Sequence, residues 1–363
     1  MAKLLKDLYN ESYVENIGKK VQSNYQKFNL EAFKKGVFSK IWIDLELKGR
    51  MRHIAVTLGE FLSSDYTHSL SILEKVFKTL DTQQALENMV FQDFVEIYGM
   101  ENFESSMKAL EIFTIGSSSE FAIRQFILKY PDQTMKQMQK WAKSNNEHVR
   151  RLASEGCRTR LPWAIALEVF KKDPSEILKI LECLKDDESA YVRKSVANSI
   201  NDISKDNPKI VIALLKKWIG YSVQRDKMLK HGSRTLLKSS NVEVLELFGI
   251  KKATHVELKI VQKMQEVVLG EDLIFSFVLS SNKALGYLRV EYEMEFLRQN
   301  QKRTKKMFKI CEGNYEKNTK TIEKKHSFKP ISSRKYYEGI QKINLYINGE
   351  IFNSFEFKLV TII

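Results

Sequence analysis

"EHVRRLASEGCR" spans residues 147–158, and "AYVRKSVANSIN" spans residues 190–201. Aligned, they share a Val-Arg pair, Val149-Arg150 in the first and Val192-Arg193 in the second, 43 residues apart. A weaker third copy is "VQRDKMLKHGSR", residues 223–234, and "SSEFAIRQFILKYP", residues 118–131, is a more divergent one upstream. Periods of roughly 30–45 residues built from paired helices indicate an α-solenoid of the HEAT or armadillo kind. A single helix pair cannot bury its own apolar face, so the pairs stack and equivalent helices line one concave side.

Superposed, the copies define a stripe at i, i+3, i+7 and i+10, positions that share one helix face. It reads His148, Arg151, Glu155, Arg158 in the first copy and Tyr191, Lys194, Asn198, Asn201 in the second. In the third it reads Gln224, Lys227, His231, Arg234, and Lys238 extends it by a turn. Side by side, these faces would make a basic wall suited to a phosphate backbone. Arg150 and Arg160 add to the charge around it. Glu155 is the one acid in the alignment. The plain account is that it pairs with Arg151 and Arg158, and that Glu120 pairs with Arg124 four residues on. Trp163, just after Pro162, reads as a core or helix-start aromatic on the same plain account. The sharper account aims a carboxylate and the indole at a ligand among the cations.

Around this centre, residues 1–250 read as helical. "HIAVTLGEFLSSDYTHSLSILEKVFKTL" spaces Ile54, Leu58, Phe61, Leu70, Leu73 and Phe77 at helical intervals. Pro131, Pro162, Pro174 and Pro208 fall between such segments, where they start or stop helices. From about residue 254 the period becomes two, in "HVELKIVQ", "EDLIFSFVLSS", "YLRVEYEMEFLR", "KKHSFKPI" and "KINLYINGEIFNSFEFKLV". Asn348-Gly349 in the last is a two-residue hairpin signal. The expected architecture is therefore mainly α: a helical solenoid over 1–250 and a small β-sandwich over 254–363. The Cys…Trp…Cys spacing of true immunoglobulin domains is absent.

The net charge is +14, which favours a polyanionic partner, nucleic acid or an anionic membrane. Residues 251–363 hold 21 Lys+Arg against 13 Asp+Glu, most of the excess lying between Arg298 and Lys335. That run reads either as a solvated loop or as a phosphate-contacting hairpin. Three cysteines without a CxxC pair give neither a zinc site nor a disulfide framework and fit a reducing cytoplasm. The N-terminal segment lacks the apolar run of a signal peptide, and no stretch is apolar enough to span a membrane. HExxH and GxxxxGK[ST] motifs are absent and the six histidines are scattered, so no metal or nucleotide chemistry is expected.

"HVRRLASEGCRTRLPW", "VRKSVANSINDISKDNP", "HGSRTLLK" and the N-terminal "WIDLELKGRMRHIAVTLGEFL" resemble the AlkC branch of the AlkC/AlkD DNA glycosylases over roughly residues 1–250. The β-rich remainder is similar to the AlkC subgroup that carries an added immunoglobulin-like domain. The resemblance implies a monofunctional glycosylase that needs no cofactor or metal. It would act as a monomer on double-stranded DNA containing alkylated bases, notably 3-methyladenine and 3-methylcytosine, without fully flipping the base. It assigns the catalytic carboxylate to Glu155, a second acid to Glu120 and the nearby aromatic to Trp163, with Asp202 a further candidate. The cations Arg150, Arg151, Arg158, Arg160, Lys194, Lys227, Arg234 and Lys238, with His231, would then contact DNA. The rival reading is a non-catalytic scaffold that binds nucleic acid or protein, because solenoids do not by themselves imply an enzyme.

Overall fold

A computed structural model of the chain describes residues 4–332 and 334–361; residues 1–3, 333, 362 and 363, which fall within the expected domains, lie outside the described residues. Contacts divide the chain into two compact units, Met1–Asn207 and Pro208–Ile363.

The first unit contains α1 (Glu11–Asn24), α2 (Leu30–Val37), α3 (Leu47–Phe61), α4 (Tyr66–Phe77), α5 (Val90–Tyr98) and α6 (Phe103–Phe113). It continues with α7 (Ile123–Lys129), α8 (Pro131–Trp141), α9 (Glu147–Glu155), α10 (Glu168–Lys172), α11 (Ser175–Leu184) and α12 (Ala190–Asp206). Helices α1, α4 and α6 pack in series, as do α8 and α11, while α3, α5 and α7, and then α9 and α12, pack in a second layer. Consecutive helices such as α7 and α8 join the layers. This two-layer stacking of like on like is the solenoid grammar that the repeats imply.

The Val-Arg pair explains why the copies fold alike. Val149 and Val192 are buried in their helices. Arg150 Nη1 donates to the carbonyls of Ser144 and Asn145, 3.0 and 3.1 Å away, and Arg193 Nη1 donates to those of Asp187 and Glu188. In both copies the arginine reaches back six and five residues and satisfies the loop that enters its helix. Side-chain caps complete each start: Asn146 accepts from His148 N, and Ser189 from Tyr191 N. Between the two helices the Ser154 and Ser195 hydroxyls lie 2.7 Å apart, which satisfies two polar groups in an otherwise apolar contact.

The second unit opens with α13 (Pro208–Trp218), α14 (Val223–Gly232), α15 (Arg234–Lys238) and α16 (Val242–Leu247). Its strands are β1 (Val256–Lys263), β2 (Glu266–Val268), β3 (Asp272–Ser281), β4 (Gly286–Leu297), β5 (Arg303–Tyr315), β6 (Thr319–Ser327), β7 (Gly339–Ile347) and β8 (Glu350–Val360). They form a three-stranded sheet, β1-β3-β6, and a five-stranded sheet, β2-β8-β7-β4-β5, in which only the short β2 pairs in parallel. Alternate residues of each strand face one core: Leu273, Phe275, Phe277 and Leu279 of β3 meet Val290, Tyr292, Met294 and Phe296 of β4 and Phe355, Phe357 and Leu359 of β8. Asn348 and Gly349 turn β7 into β8 with φ of 49° and 88°, a type I′ hairpin.

Two features add to the sequence reading. Secondary structure changes between Leu247 and Val256, but packing assigns α13–α16 to the same unit as the strands. Arg289 Nη2 donates to the Leu237 carbonyl at 3.2 Å, and the Ser240 hydroxyl donates to Glu291. The basic run from Arg298 to Lys335 is also not one hairpin: it opens on the turn of the β4–β5 hairpin and continues into β6. β5 pairs with β4 and β6 pairs with β3, so the chain crosses from one sheet to the other between them.

Candidate active site

Helix α9 ends at Glu155, earlier than a stripe continuing to Arg158 requires. The chain turns at Gly156, where an added Cβ would lie 2.7 Å from Cγ2 of Ile123, so α7 crosses too closely for a larger residue. The turn folds Arg158 back onto the helix end. Its Nη1 contacts Glu155 Oε1 at 2.5 Å, and its Nε and Nη2 reach Asp202 Oδ2 at 2.8 and 2.7 Å. Arg151, one turn before Glu155, contacts Glu120 Oε2 at 2.7 Å and Glu155 Oε1 at 3.6 Å. Ser118 closes that end, accepting from Arg151 and donating to Glu120. The result is a ladder, Glu120–Arg151–Glu155–Arg158–Asp202, in which three carboxylates share two arginines. Lys205, the next cation, stands 3.0 Å from Asp202 at the far end and is partly exposed. With Lys205 counted, three carboxylates face three cations, and Glu120 and Glu155 lie at the end away from the lysine. Glu155 is 5% exposed and Asp202 2%. Burial alone would pull the Arg158 guanidinium down, but Glu155 and Asp202 outweigh it and hold it above the usual arginine range.

The residues after the turn carry the aromatic. Trp163 is 63% exposed and adopts φ of 62°. The left-handed region is costly for a bulky side chain, on the order of 1–3 kcal/mol, and persists only where surrounding contacts impose it. Those contacts are present. Arg124, 1% exposed, donates to the carbonyls of Gly156 (3.0 Å), Arg158 (2.8 Å) and Ile165 (2.9 Å). Lys48 Nζ donates to the Trp163 carbonyl at 2.9 Å. Arg124 is thus committed to the 156–165 loop and leaves Glu120 to Arg151, which overturns the simple i, i+4 pairing of Glu120 with Arg124. Burial pulls the Arg124 guanidinium down to about 10, still charged at neutral pH. Glu120, Glu155, Arg158, Pro162 and Trp163 line one cleft of about 260 Å³ with Leu86, Met89, Phe121 and Leu161.

Comparison with known proteins places this geometry. A family model described as DNA alkylation repair enzyme matches residues 111–238, and one described as the C-terminal Ig-like domain of uncharacterised protein YhaZ matches residues 257–361. Uncharacterized protein YhaZ of Bacillus subtilis (strain 168) is 41% identical over 357 residues, 98% of this chain and 99% of its own. The solved structure of Pseudomonas fluorescens alkylpurine DNA glycosylase AlkC, bound to DNA containing an abasic site analog, is 32% identical. It covers 99% of this chain and 100% of that one, with a TM-score of 0.85. The chain belongs to the AlkC-type family of DNA alkylation repair enzymes.

In this AlkC-type enzyme the expected site residues separate into groups. Glu120, Glu155 and Trp163 meet in the cleft, whereas Asp202 reaches it only through Arg158. The expected phosphate role of three arginines does not fit their surroundings. Arg150 is engaged by Asp187, with Nε to Oδ2 at 2.6 Å and Nη2 to Oδ1 at 3.0 Å, and by two loop carbonyls. Arg151 and Arg158 are half-buried to buried within the carboxylate ladder. Arg160 is exposed, with a bidentate partner in Asp206. The first two stripes do adjoin: the His148 and Tyr191 rings are 5.7 Å apart, and the Arg151 guanidinium lies 5.0 Å from the Tyr191 ring centre. Lys194 on α12 is exposed. The third copy belongs to the second unit, where Lys227, His231 and Lys238 are exposed and Arg234 Nη1 donates to the His231 carbonyl at 3.0 Å.

The sequence reading missed Lys48, Phe121, Leu86 and Met89 and misassigned Arg124. Their partners at the site are remote in sequence, and no local spacing signals them. In the second unit, Arg298, Lys302, Arg303, Arg334 and Lys335, with Tyr337 and neutral neighbours, line a hollow of about 850 Å³ that no acidic side chain lines among the described residues. Among the described residues no helix is long and apolar enough to cross a membrane, and no group of three or more His, Cys, Asp and Glu side chains could hold a metal ion.

Proposed function

We propose that this AlkC-type enzyme hydrolyses the N-glycosidic bond of alkylated bases, 3-methyladenine and 3-methylcytosine, in double-stranded DNA, releasing the free base and leaving an abasic site. The observation that carries this reading is the single cleft in which Glu120, Glu155 and an exposed Trp163 converge. Alkylation at N3 makes the base a cation that departs as a neutral molecule, so no strong general acid is needed. The deoxyribose gains oxocarbenium character as the bond breaks. A carboxylate near C1′ stabilises that charge and can orient the attacking water. Glu155 suits this role because Arg151 and Arg158 fix its orientation and it lines the cleft beside Glu120. The indole of Trp163 offers a π face to the cationic base or sugar. An aromatic this exposed fits a base read at the DNA surface better than one sealed in a closed pocket. Among the described residues no lysine lines the cleft, and Lys48 beside it is held on the Trp163 carbonyl, which favours hydrolysis without strand nicking.

In this reading residues 1–250 carry the chemistry and residues 254–363 add a second DNA contact through the basic hollow. The enzyme acts as a monomer in the cytoplasm. The phosphate contacts fall to the exposed cations, Lys194, Arg160, Lys227, His231 and Lys238, with Arg234 beside His231. The test is a methylated duplex, with products resolved as free base or nicked strand. Glu155→Gln is expected to reduce release of the free base by a factor of about 10² or more while duplex affinity stays the same or rises, and Asp202→Asn to reduce it less. A wild-type chain that binds duplex but frees no base would leave only the scaffold reading.

A further inference from the structure

We infer that Lys48 is a positioning residue for Trp163, a role that rests on the glycosylase reading for its consequence but not for its geometry. Lys48 lies in the first turn of α3, 115 residues from Trp163. Its ammonium donates to the Trp163 carbonyl at 2.9 Å and sits 4.5 Å from the ring centre of Phe121, which lines the same cleft. The carbonyl it holds belongs to a residue in the left-handed region. Released from that contact, the peptide can relax toward ordinary φ, and the indole turns with it. Arg124 grips the loop from within, at Gly156, Arg158 and Ile165. That leaves Trp163 between two of its anchors, and Lys48 is the tie on the outer side. A lysine on an exposed helix face would otherwise read as one more phosphate contact. Here its donor is directed at a strained backbone and its charge at an aromatic ring.

Lys48→Met keeps the aliphatic stem over Phe121 and removes the donor and the charge. Because the side chain is exposed, the variant should fold normally. In single-turnover excision from a duplex containing 3-methyladenine, Lys48→Met is expected to lose at least tenfold in rate, as is Trp163→Ala. The double variant should be no slower than Trp163→Ala alone, since both remove the same placement. Affinity for undamaged duplex and its salt dependence should stay unchanged, and Lys48→Arg should recover most of the rate. The indole gives a readout independent of activity. The emission difference between the wild-type chain and Trp163→Phe isolates Trp163, and in the Lys48→Met background that signal should be more easily quenched by acrylamide and less anisotropic. Additive rate losses, a weakened duplex affinity with a shallower salt slope, or an unaltered Trp163 signal would each overturn the role. A wild-type chain that releases no base would defeat the glycosylase reading, and the Trp163 signal would still decide this one.

Discussion

Glu155 stands among arginines because the arginines are its partners. A stripe drawn on one helix face makes Arg151 and Arg158, with Arg150 and Arg160 around them, look like a surface for phosphate. Folding the chain at Gly156 turns two of them inward as the rungs that hold Glu120, Glu155 and Asp202. Another carboxylate, outside the ladder, is buried at a cost. Asp93 on α5 is 3% exposed, and Arg52 Nε lies 3.0 Å from its Oδ2 without the direction a hydrogen bond needs, so that oxygen has no protein hydrogen-bond partner. Burial pushes its carboxyl up from 3.8 to about 7, Arg52 opposing the shift and Glu96 adding to it. Below pH 3.8 the group is protonated in both folded and unfolded chains. Between 3.8 and 7 the unfolded chain releases the proton first, so stability falls as pH rises through that window; above 7 the penalty is constant. Asp93→Asn is therefore expected to stabilise the fold more at pH 8 than at pH 4.5. The difference should be on the order of 1–3 kcal/mol in urea unfolding, below the full shift because the comparison starts at pH 4.5, above the unfolded carboxyl value. An equal gain at both pH values would show that Asp93 bears no such load.

At the scale of the element, the Val-Arg pair recurs because two helices solve the same problem. A buried valine anchors the first turn, and the arginine reaches back to the carbonyls of the preceding loop. Arg150 does more than Arg193, since it also closes a bidentate bridge to the nearly buried Asp187. Arg150→Ala should cost about 2–3 kcal/mol in urea unfolding and Arg193→Ala about 1 kcal/mol. Neither should change the salt slope of duplex binding. A loss of slope with unaltered stability would return Arg150 to the DNA-facing surface. The β-sandwich is likewise governed by local rules. Period-two apolar residues select the inward faces, and Asn348-Gly349 turns the last hairpin because both positions need positive φ. β5 and the first half of β6, before Lys324, escaped this grammar. Their dense lysines hide the alternation, which only strand pairing with β4 and β3 supplies.

At the scale of the molecule, the net charge of +14 is spread unevenly. The hollow in the second unit gathers five cations that the sequence offers as separate letters of one long run. Arg298→Ala, Lys302→Ala and Lys335→Ala combined in the full chain should weaken duplex binding about tenfold at low salt and flatten log K against log salt by about 2–3. An unchanged slope would mark the hollow as solvated surface. Truncation before the strands is the poorer test, because α15 and Ser240 just after it contact β4 and would be stripped of their partners. Helix and strand periods, the repeat, the hairpin and the choice of Glu120, Glu155 and Trp163 were all legible in the sequence alone, the last through family resemblance. Each rests on local spacing or on a long motif. The pairing of Glu155 with Arg151 and Arg158 was legible too, but the tertiary structure alone decided that Arg151 also takes Glu120 and Arg158 also takes Asp202, why Arg124 abandons Glu120 for the carbonyls of a loop, and that Lys48 meets Trp163. Such contacts join residues from about thirty to more than a hundred positions apart. A guanidinium follows whichever acceptor burial brings within reach, whatever its neighbours in sequence.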